Sequence, residues 1–481
     1  MSTQVDLLPR NFEFHTESSQ LQPTFRDPAG QLHLTPTHAL RRVRPAAVAD
    51  VRAFLASPLR AELERAGDLI ASKIADPEAH PSIEPGELWL RHPRIDPITY
   101  PWEWTGAQWR AAADLTLRIT AQAIDAGWTL KDATPLNILF RGAQPLLVDT
   151  LSFERRDPAA SIWLAYGQFV RTFLLPLLAE KHLGWPLRAT LFSRDGYEPA
   201  TLYRALRPWQ RLAPGLLGVV TLATLLEGRP DQQQRPPAPV DSELATHLLH
   251  RRFTQLAKQI LRTAPAARAT RWSNYQQTAS HYSADDVAAK QQFVRNVLER
   301  CHPGNVLDIG ANTGFYSRQA AAAGARVVAI DSDGGAIEAL WREAGRDGLP
   351  ITALVANIAR PTPAVGWRNR EQLSLLDRLT GKFDLVLMLA VIHHLILCEQ
   401  LPLDLIGELM ATLTRRWLLV EWVPPSDPMF QQWLRGRDDL YGKISEDDLR
   451  QAFAPHFRVA DRQALGNGRV LLLFERVGGC Y

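Results

Sequence analysis

The sequence predicts an α/β fold for the second half of the chain, a mostly parallel sheet with a late antiparallel strand, preceded by a separate α+β unit. Three observations carry this expectation. From residue 305 onward, apolar runs of strand length alternate with stretches of helical period, the pattern of a parallel sheet covered on both faces. The first run, in "VLDIGANTGFYS" from Val306, ends in a tight glycine bend that opens a helix. Upstream, "GRPDQQQRPPAPV" from Gly228 replaces periodic apolar residues with glutamines and prolines, and 481 residues exceed what one hydrophobic core serves. The chain divides accordingly into an α+β domain over 1–227, a Pro/Gln-rich linker over 228–240, a helical connector over 241–300 and the α/β domain over 301–481.

In chain order, "PTFRDPAGQLHLTP" from Pro23 predicts two short strands around an Asp-Pro-Ala-Gly turn, and helical periodicity follows over 46–74. Residues 107–126 carry Leu115, Leu117, Ile119 and Ile124 among polar residues, a helix that Gly127 stops. "QPLLVDTLSFE" places a buried strand before Asp149, and apolar residues over 162–226 are dense enough for several packed helices. Beyond the linker, helices are expected over 243–262 and 284–300. Strands are expected over 305–309, 326–330, 351–355, 383–389, 417–423 and 469–475.

Hydrophobic residues make up 46% and charged residues 22%, values of an ordinary globular protein. The formal charge is only +3, so the basic clusters at Arg41, Arg42 and Arg44 and at Arg251 and Arg252 are read as solvated helix faces, and nucleic acid is not expected as a partner. Cys301, Cys398 and Cys480 are odd in number and far apart, which provides neither a disulfide framework nor a zinc-type pair and fits a reducing cytoplasm. The amino terminus lacks a basic segment followed by an apolar run, and the most apolar stretch, 215–226, is too short to span a bilayer, so no membrane partner is expected.

The bend from Gly310 to Gly314 lets the backbone approach a ligand closely, and twenty-one residues after Gly310 the run "VVAIDSD" delivers Asp331 to the end of the second strand. A carboxylate there can accept both hydroxyls of a ribose, so bend and acid together predict nucleoside binding. "GANTG" lacks the G-x-G-x-x-G spacing that rests a pyrophosphate on a helix, which favours a cofactor without phosphates.

At these residues the sequence resembles the class I S-adenosylmethionine-dependent methyltransferases over roughly 274–477, which implies a Rossmann-like sheet. By that resemblance Asp308, Gly310, Asn312 and Gly314 hold the methionine portion, Asp331 the ribose, and Asn357 and Ile358 of "VANI" the adenine, with Phe315 and Ser332 also at the cofactor and no metal in this domain. "LMLAVIHHL" falls where the family places residues facing the methyl group. It supplies Ala390 to the cofactor wall and His393 and His394 as candidates for proton abstraction from the acceptor. The motif of the base-nitrogen methyltransferases after the fourth strand is missing. "VPPSDP" follows the fifth strand as a turn, with Glu421 and Asp427 as candidates for substrate contact. The long connection "RPTPAVGWRNREQLSLLDRL" predicts a lid carrying Trp367 and Arg370. It resembles, with "LAVIHHL" and "EWVPPSDPMFQQWLRGRDDLY", the branch described as similar to nodulation-type proteins.

In the first half, "LKDATPLNILFRGAQPLLVDTLSFE" sets Asp132 five residues before Asn137 and Asp149 twelve beyond it. Phosphotransferases use one Asp to orient an attacking hydroxyl, and an Asn and a second Asp to hold magnesium against nucleotide phosphates. The stretch resembles the catalytic loop of protein-kinase-like and aminoglycoside-phosphotransferase-like folds over about 91–178, which implies ATP, with magnesium at Asn137 and Asp149. It departs from them at Leu130-Lys131 before the first Asp, at Thr150-Leu151 after the last, and in lacking a glycine-rich loop, so a degenerate module is expected. The expected function is methyl transfer from S-adenosylmethionine to an oxygen or nitrogen of a small-molecule or protein acceptor, with the first domain selecting or presenting it. A kinase-like nucleotide- or partner-binding regulator and an RNA methyltransferase are the alternatives.

Overall fold

A computed structural model of the chain describes residues 26–76, 86–227, 241–264, 283–434 and 441–478. The proposed linker, 228–240, lies outside them. The first half opens with a four-stranded antiparallel sheet of β1 (Gly30–Leu34), β2 (His38–Val43), β3 (Lys73–Ile74) and β4 (Trp89–Pro93), in the order β1-β2-β4-β3. The Asp-Pro-Ala-Gly turn precedes β1 but does not join two strands of this sheet. Its first hairpin turns at Thr35, whose N–H donates to the His38 carbonyl at 2.9 Å. The expected helix over 46–74 is two helices, α1 (Val48–Leu55) and α2 (Pro58–Ala66). Pro58 has no N–H to continue the first, while Ser57 caps the second by accepting from Arg60 N at 3.3 Å.

Helix α3 (Gly106–Asp125) is the axis of this half, starting at a capping box of Thr105 and Gln108 and followed by Gly127 at φ +75°. Two small antiparallel pairs stand beside it, β5 (Trp128–Leu130) with β8 (Phe153–Arg155), and the hairpin β6 (Ile138–Arg141) with β7 (Gln144–Leu147). The described residues from Tyr166 to Leu226 are largely helical. Helix α4 (Ser242–Arg262) completes this core, setting Leu249, Phe253, Leu256 and Ile260 among Trp109, Leu115, Ile119 and Phe169.

The second half is a seven-stranded sheet of β9 (Asn305–Ile309), β10 (Arg326–Asp331), β11 (Ile351–Val355), β12 (Phe383–Met388), β13 (Thr414–Trp422), β14 (Phe457–Ala464) and β15 (Val470–Arg476), ordered β11-β10-β9-β12-β13-β15-β14. Strands β9 to β13 are parallel and β15 runs antiparallel between β13 and β14. β14 is absent from the sequence expectation, because an edge strand with mostly half-exposed polar residues carries no apolar run. Alternate residues serve two cores. Val306, Val327, Leu385 and Leu419 pack under α5 (Ala284–Cys301), α6 (Phe315–Ala322) and α7 (Gly334–Arg346). Leu307, Ile330, Val386 and Val420 pack against Leu395 of α8 (Ile392–Leu397), Met410 of α9 (Leu403–Leu413) and Phe453 of α10 (Glu446–Phe453).

The halves are joined by specific contacts. Gln108 Oε1 accepts from Thr105 N at 2.8 Å to close its capping box while its Nε2 donates to the Ala353 carbonyl at 2.9 Å, which covers the open edge of β11. Arg378 donates to both oxygens of Glu103, and the two side chains are 2% and 0% exposed. The Tyr100 hydroxyl accepts from Leu373 N at 3.1 Å, Thr362 Oγ1 donates to Glu103, and Trp341 Nε1 donates to Ala143 O at 3.0 Å. Among the described residues, no helix is long and apolar enough to cross a membrane.

Candidate functional site

The strand order reverses between β9 and β12, and ligands of such sheets sit beyond the carboxyl ends of the strands at that point. The bend after β9 lies there. Gly310 and Gly314 hold φ of +73° and +76°, where a Cβ on Gly310 would meet Val391 Cγ2 at 2.4 Å and one on Gly314 would meet Leu340 Cδ1 at 2.1 Å. Glycine is therefore required twice over, by conformation and by space. Gly310 N and Ala311 N both donate to Ile330 O, at 2.9 and 3.1 Å, which ties the bend to β10. Asn312 N donates to Asp331 Oδ2 at 2.9 Å, and Asp333 N donates to Oδ1 at 2.9 Å. The two sequence signals thus meet in one hydrogen-bonded unit. Burial raises the Asp331 carboxyl above the ordinary range, while its backbone donors act in the opposite direction.

Asp308 lies beneath this unit, 3% exposed, accepting from Ser317 Oγ at 2.6 Å. Burial pushes its carboxyl up to about 6, Ser317 opposing and the Asp331 charge adding to the rise. Phe315 stands at the start of α6 and Ser332 is exposed just past Asp331. Asn357 follows β11, its Oδ1 accepting from Ala359 N at 2.8 Å, with Ile358 buried beside it. Ala390 holds φ +57° after β12. His393, next along, is 2% exposed and packs against the half-buried His394 with ring centroids 4.2 Å apart. His394 faces Trp433 at 5.8 Å.

Four of the remaining candidates are spread over two other places. Glu421 and Asp427, at 0% and 2% exposure, are held by cations. Lys290 of α5 meets Glu421 Oε2 at 2.5 Å, and Arg469 spans Glu421 Oε1 at 3.3 Å and Asp427 Oδ2 at 2.7 Å. Lys290 and Arg469 escape a reading by motif because their partners are distant in sequence, though an arginine directly before the apolar run of β15 is a visible oddity. Lys290 also lies 5.2 Å from the centre of the Tyr316 ring, whose hydroxyl is driven upward by burial and by the charges of Glu421 and Asp308. The connection with Trp367 and Arg370 turns to the first half: Glu371 takes Arg26 at 2.6 Å and Trp367 N at 2.9 Å, and Arg378 is locked to Glu103. Trp367 remains 59% exposed.

In the first half, Asp132, Asn137 and Asp149 lie near one another beside the β6–β7 hairpin. Asn137 Nδ2 donates to Asp149 Oδ2 at 3.4 Å, and Asp132 is raised by burial and by the Asp149 charge. Burial raises Asp149 too, but Arg41, Ser152 Oγ and Leu151 N together outweigh it and hold the carboxyl low. Arg41 corrects the reading of its cluster as a solvated helix face. It lies on a strand, β2, with a side chain 12% exposed, paired to Asp149, while Arg42 pairs with Glu87.

Comparison with known proteins adds the following. The family described as "Methyltransferase domain" matches residues 307–415. Over 470 residues the chain is 28% identical to the nodulation protein NoeA of Rhizobium meliloti (strain 1021), a match covering 94% of this chain and 95% of that protein. Among solved structures it is similar to the magnesium protoporphyrin IX methyltransferase ChlM from Synechocystis PCC 6803 with bound SAM, at 19% identity over 43% of this chain and 92% of that one, with a TM-score of 0.29. It is also similar to the N-methyltransferase NodS from Bradyrhizobium japonicum WM9, at 14% identity over 40% and 97%, with a TM-score of 0.30. The family match falls within the mostly parallel sheet of the second half and supports a methyltransferase domain there.

Proposed function

We propose that the chain moves the methyl group of S-adenosylmethionine onto an oxygen or nitrogen nucleophile of a small-molecule or protein acceptor, and that the first half selects or presents that acceptor. The observation that carries this reading is the hydrogen bond from Asn312 N to Asp331 Oδ2, which binds the glycine bend and the acid of the second strand into one wall. The donor set suits the cofactor. A carboxylate has about four lone-pair sites, so Asp331 keeps acceptor capacity for a ribose diol, and the two acids Asp308 and Asp331 favour a ligand with cationic groups over one with phosphates. The cofactor supplies an already activated sulfonium methyl group, so the chain's own part is to align and to take up a proton. Asp308, Gly310, Asn312, Gly314 and Phe315 would hold the methionine end, Asp331 and Ser332 the ribose, and Asn357, Ile358 and Ala390 the adenine side. His393 or His394 would receive the acceptor's proton. Isothermal titration with S-adenosylmethionine tests the reading: saturable binding is expected, lost in Asp331→Ala, and no binding by the intact protein overturns it. Mass spectrometry of cells with and without the gene, searching for a species heavier by one CH₂, then identifies the acceptor.

A second reading concerns the first half alone, which we propose as a degenerate kinase-like module. Its support is the gathering of Asp132, Asn137 and Asp149 beside the β6–β7 hairpin and the antiparallel pair β5–β8. The donors do not suit magnesium in this arrangement, since the Arg41 guanidinium pairs with Asp149. ATP binding that requires magnesium and disappears in Asp149→Ala would restore phosphotransfer to the chain; binding indifferent to magnesium supports the degenerate module.

A further inference from the structure

At the end of the sheet opposite the cofactor bend, the two halves enclose a cavity of about 620 Å³. Its walls come from the segment after β4, from the β6–β7 turn, and from the starts of β9, β10, β12 and β13. Five cations line it, Arg94, Arg141, Arg326, Lys382 and Arg415, against the single acid Asp96. That is a formal surplus of four positive charges in one groove (five minus one), in a chain whose total is +3. Asp96 is shared, paired to Lys382 and 4.0 Å from Arg94, and Arg415 lies 3.9 Å from Asp384 outside the lining. Arg94 Nε is buried without a hydrogen-bond partner among the described residues, although the same side chain donates to Thr35 O at 2.7 Å.

Cations at the starts of parallel strands complement the negative carboxyl ends of the preceding helices, and this accounts for Arg326, Lys382 and Arg415. It does not account for Arg94 and Arg141, which come from the other half of the chain, one just after β4 and the other at the last position of β6. Like charges from two bodies converging on one cavity repel each other unless an anion lies between them. A single-charged ion cannot meet both sides of a cavity this size, which falls in the range of small-molecule sites. Nucleic acid would instead need a basic stripe running on past the cavity.

We propose that this groove binds a small polyanion of the oligophosphate class, which bridges the two halves of the chain. The test is titration of the full-length protein with tripolyphosphate at low ionic strength. Saturable binding with one site per chain is expected, weakening steeply with added salt. Arg141→Gln combined with Arg326→Gln should weaken it at least tenfold without lowering the melting temperature of the ligand-free protein, since both side chains are exposed and enter no ion pair among the described residues. Saturating S-adenosylmethionine should leave the affinity unchanged, so this result stands or falls apart from the methyl-transfer reading. Absence of saturable binding, equal affinity in the double variant, or a loss that follows Arg41→Gln instead would overturn it. So would an RNA oligomer that binds through the same two arginines more tightly than tripolyphosphate.

Discussion

Asp308 shows what the proposed cofactor wall costs the fold. Its carboxyl is fully enclosed and raised to about 6, so the folded chain takes up a proton at this site more readily than the unfolded chain does. The site's contribution to stability is therefore complete below the ordinary carboxylate range and is lost as pH rises through about 6, leaving a buried charge at neutral pH. The shift corresponds to on the order of 3 kcal/mol. Asp308→Asn keeps an acceptor for Ser317 Oγ and removes that charge. It should raise the melting temperature by a few degrees at pH 7.5, gain nothing at pH 4.5, and abolish cofactor binding in calorimetry. A lower melting temperature for Asp308→Asn at pH 7.5 would show that the Ser317 bond outweighs the charge. The same carboxylate makes cofactor affinity pH-dependent: a cationic ligand favours the ionised acid, so binding should strengthen from pH 5 to 7 and then level. A flat profile in calorimetry would remove Asp308 from contact with the cationic end of the ligand. At this scale the sequence was legible where the signal was local. The bend and Asp331 could be read from spacing, because they occupy successive strand ends. The pairing of Glu421 and Asp427 could not, because the cations that hold them lie 131 and 42 residues away, on α5 and before β15.

Among the elements, the parallel strands could be read from apolar runs because both faces of the sheet are covered, and β14 could not because it lies at an edge. The connection over 360–379 has the length and charges that predict a lid, and two of those charges find partners in the first half, Glu371 in Arg26 and Arg378 in Glu103. Thr362, Arg378 and the N–H of Leu373 are held by Glu103 and Tyr100 from the segment leading into α3. The connection is thus a clasp that begins three residues after Asn357, and its ion pair is fully buried. A buried pair contributes little net stability over an apolar replacement, but removing one member leaves the other uncompensated, at about 3–5 kcal/mol. Glu103→Leu and Arg378→Met should each lower the urea midpoint strongly. The double variant Glu103→Leu with Arg378→Met should recover much of the loss, and the cycle should give a coupling of at least about 1 to 2 kcal/mol in magnitude. Additive losses would show that the two side chains act separately. Displacement of the clasp also moves the chain next to Asn357, so the single variants should bind the cofactor more weakly than their stability alone explains.

Across the whole molecule, the clasp, the Gln108 bridge to β11 and the Trp341 contact with Ala143 make the second half dependent on the first. Trp341 packs against the cores of both halves, and Arg378 is 2% exposed only because the first half covers it. A chain of residues 283–481 would keep its seven strands yet expose that arginine, one flank of Trp341 and the uncapped edge of β11, an invitation to pair with another chain. The sequence break at 228–240 suggests two separable domains, and these contacts argue that chemical separation and energetic separation differ here. The full chain should therefore unfold in a single calorimetric transition, while the isolated second half should melt at least about 10 °C lower, by the scaling of about 2–4 °C per kcal/mol for a unit of this size. It should also aggregate more readily. Two resolved transitions in the full chain, with the upper or lower one matching the isolated fragment, would mean that the halves fold independently. In that case the first half would present an acceptor as a tethered neighbour instead of forming part of the wall behind the methyltransferase sheet.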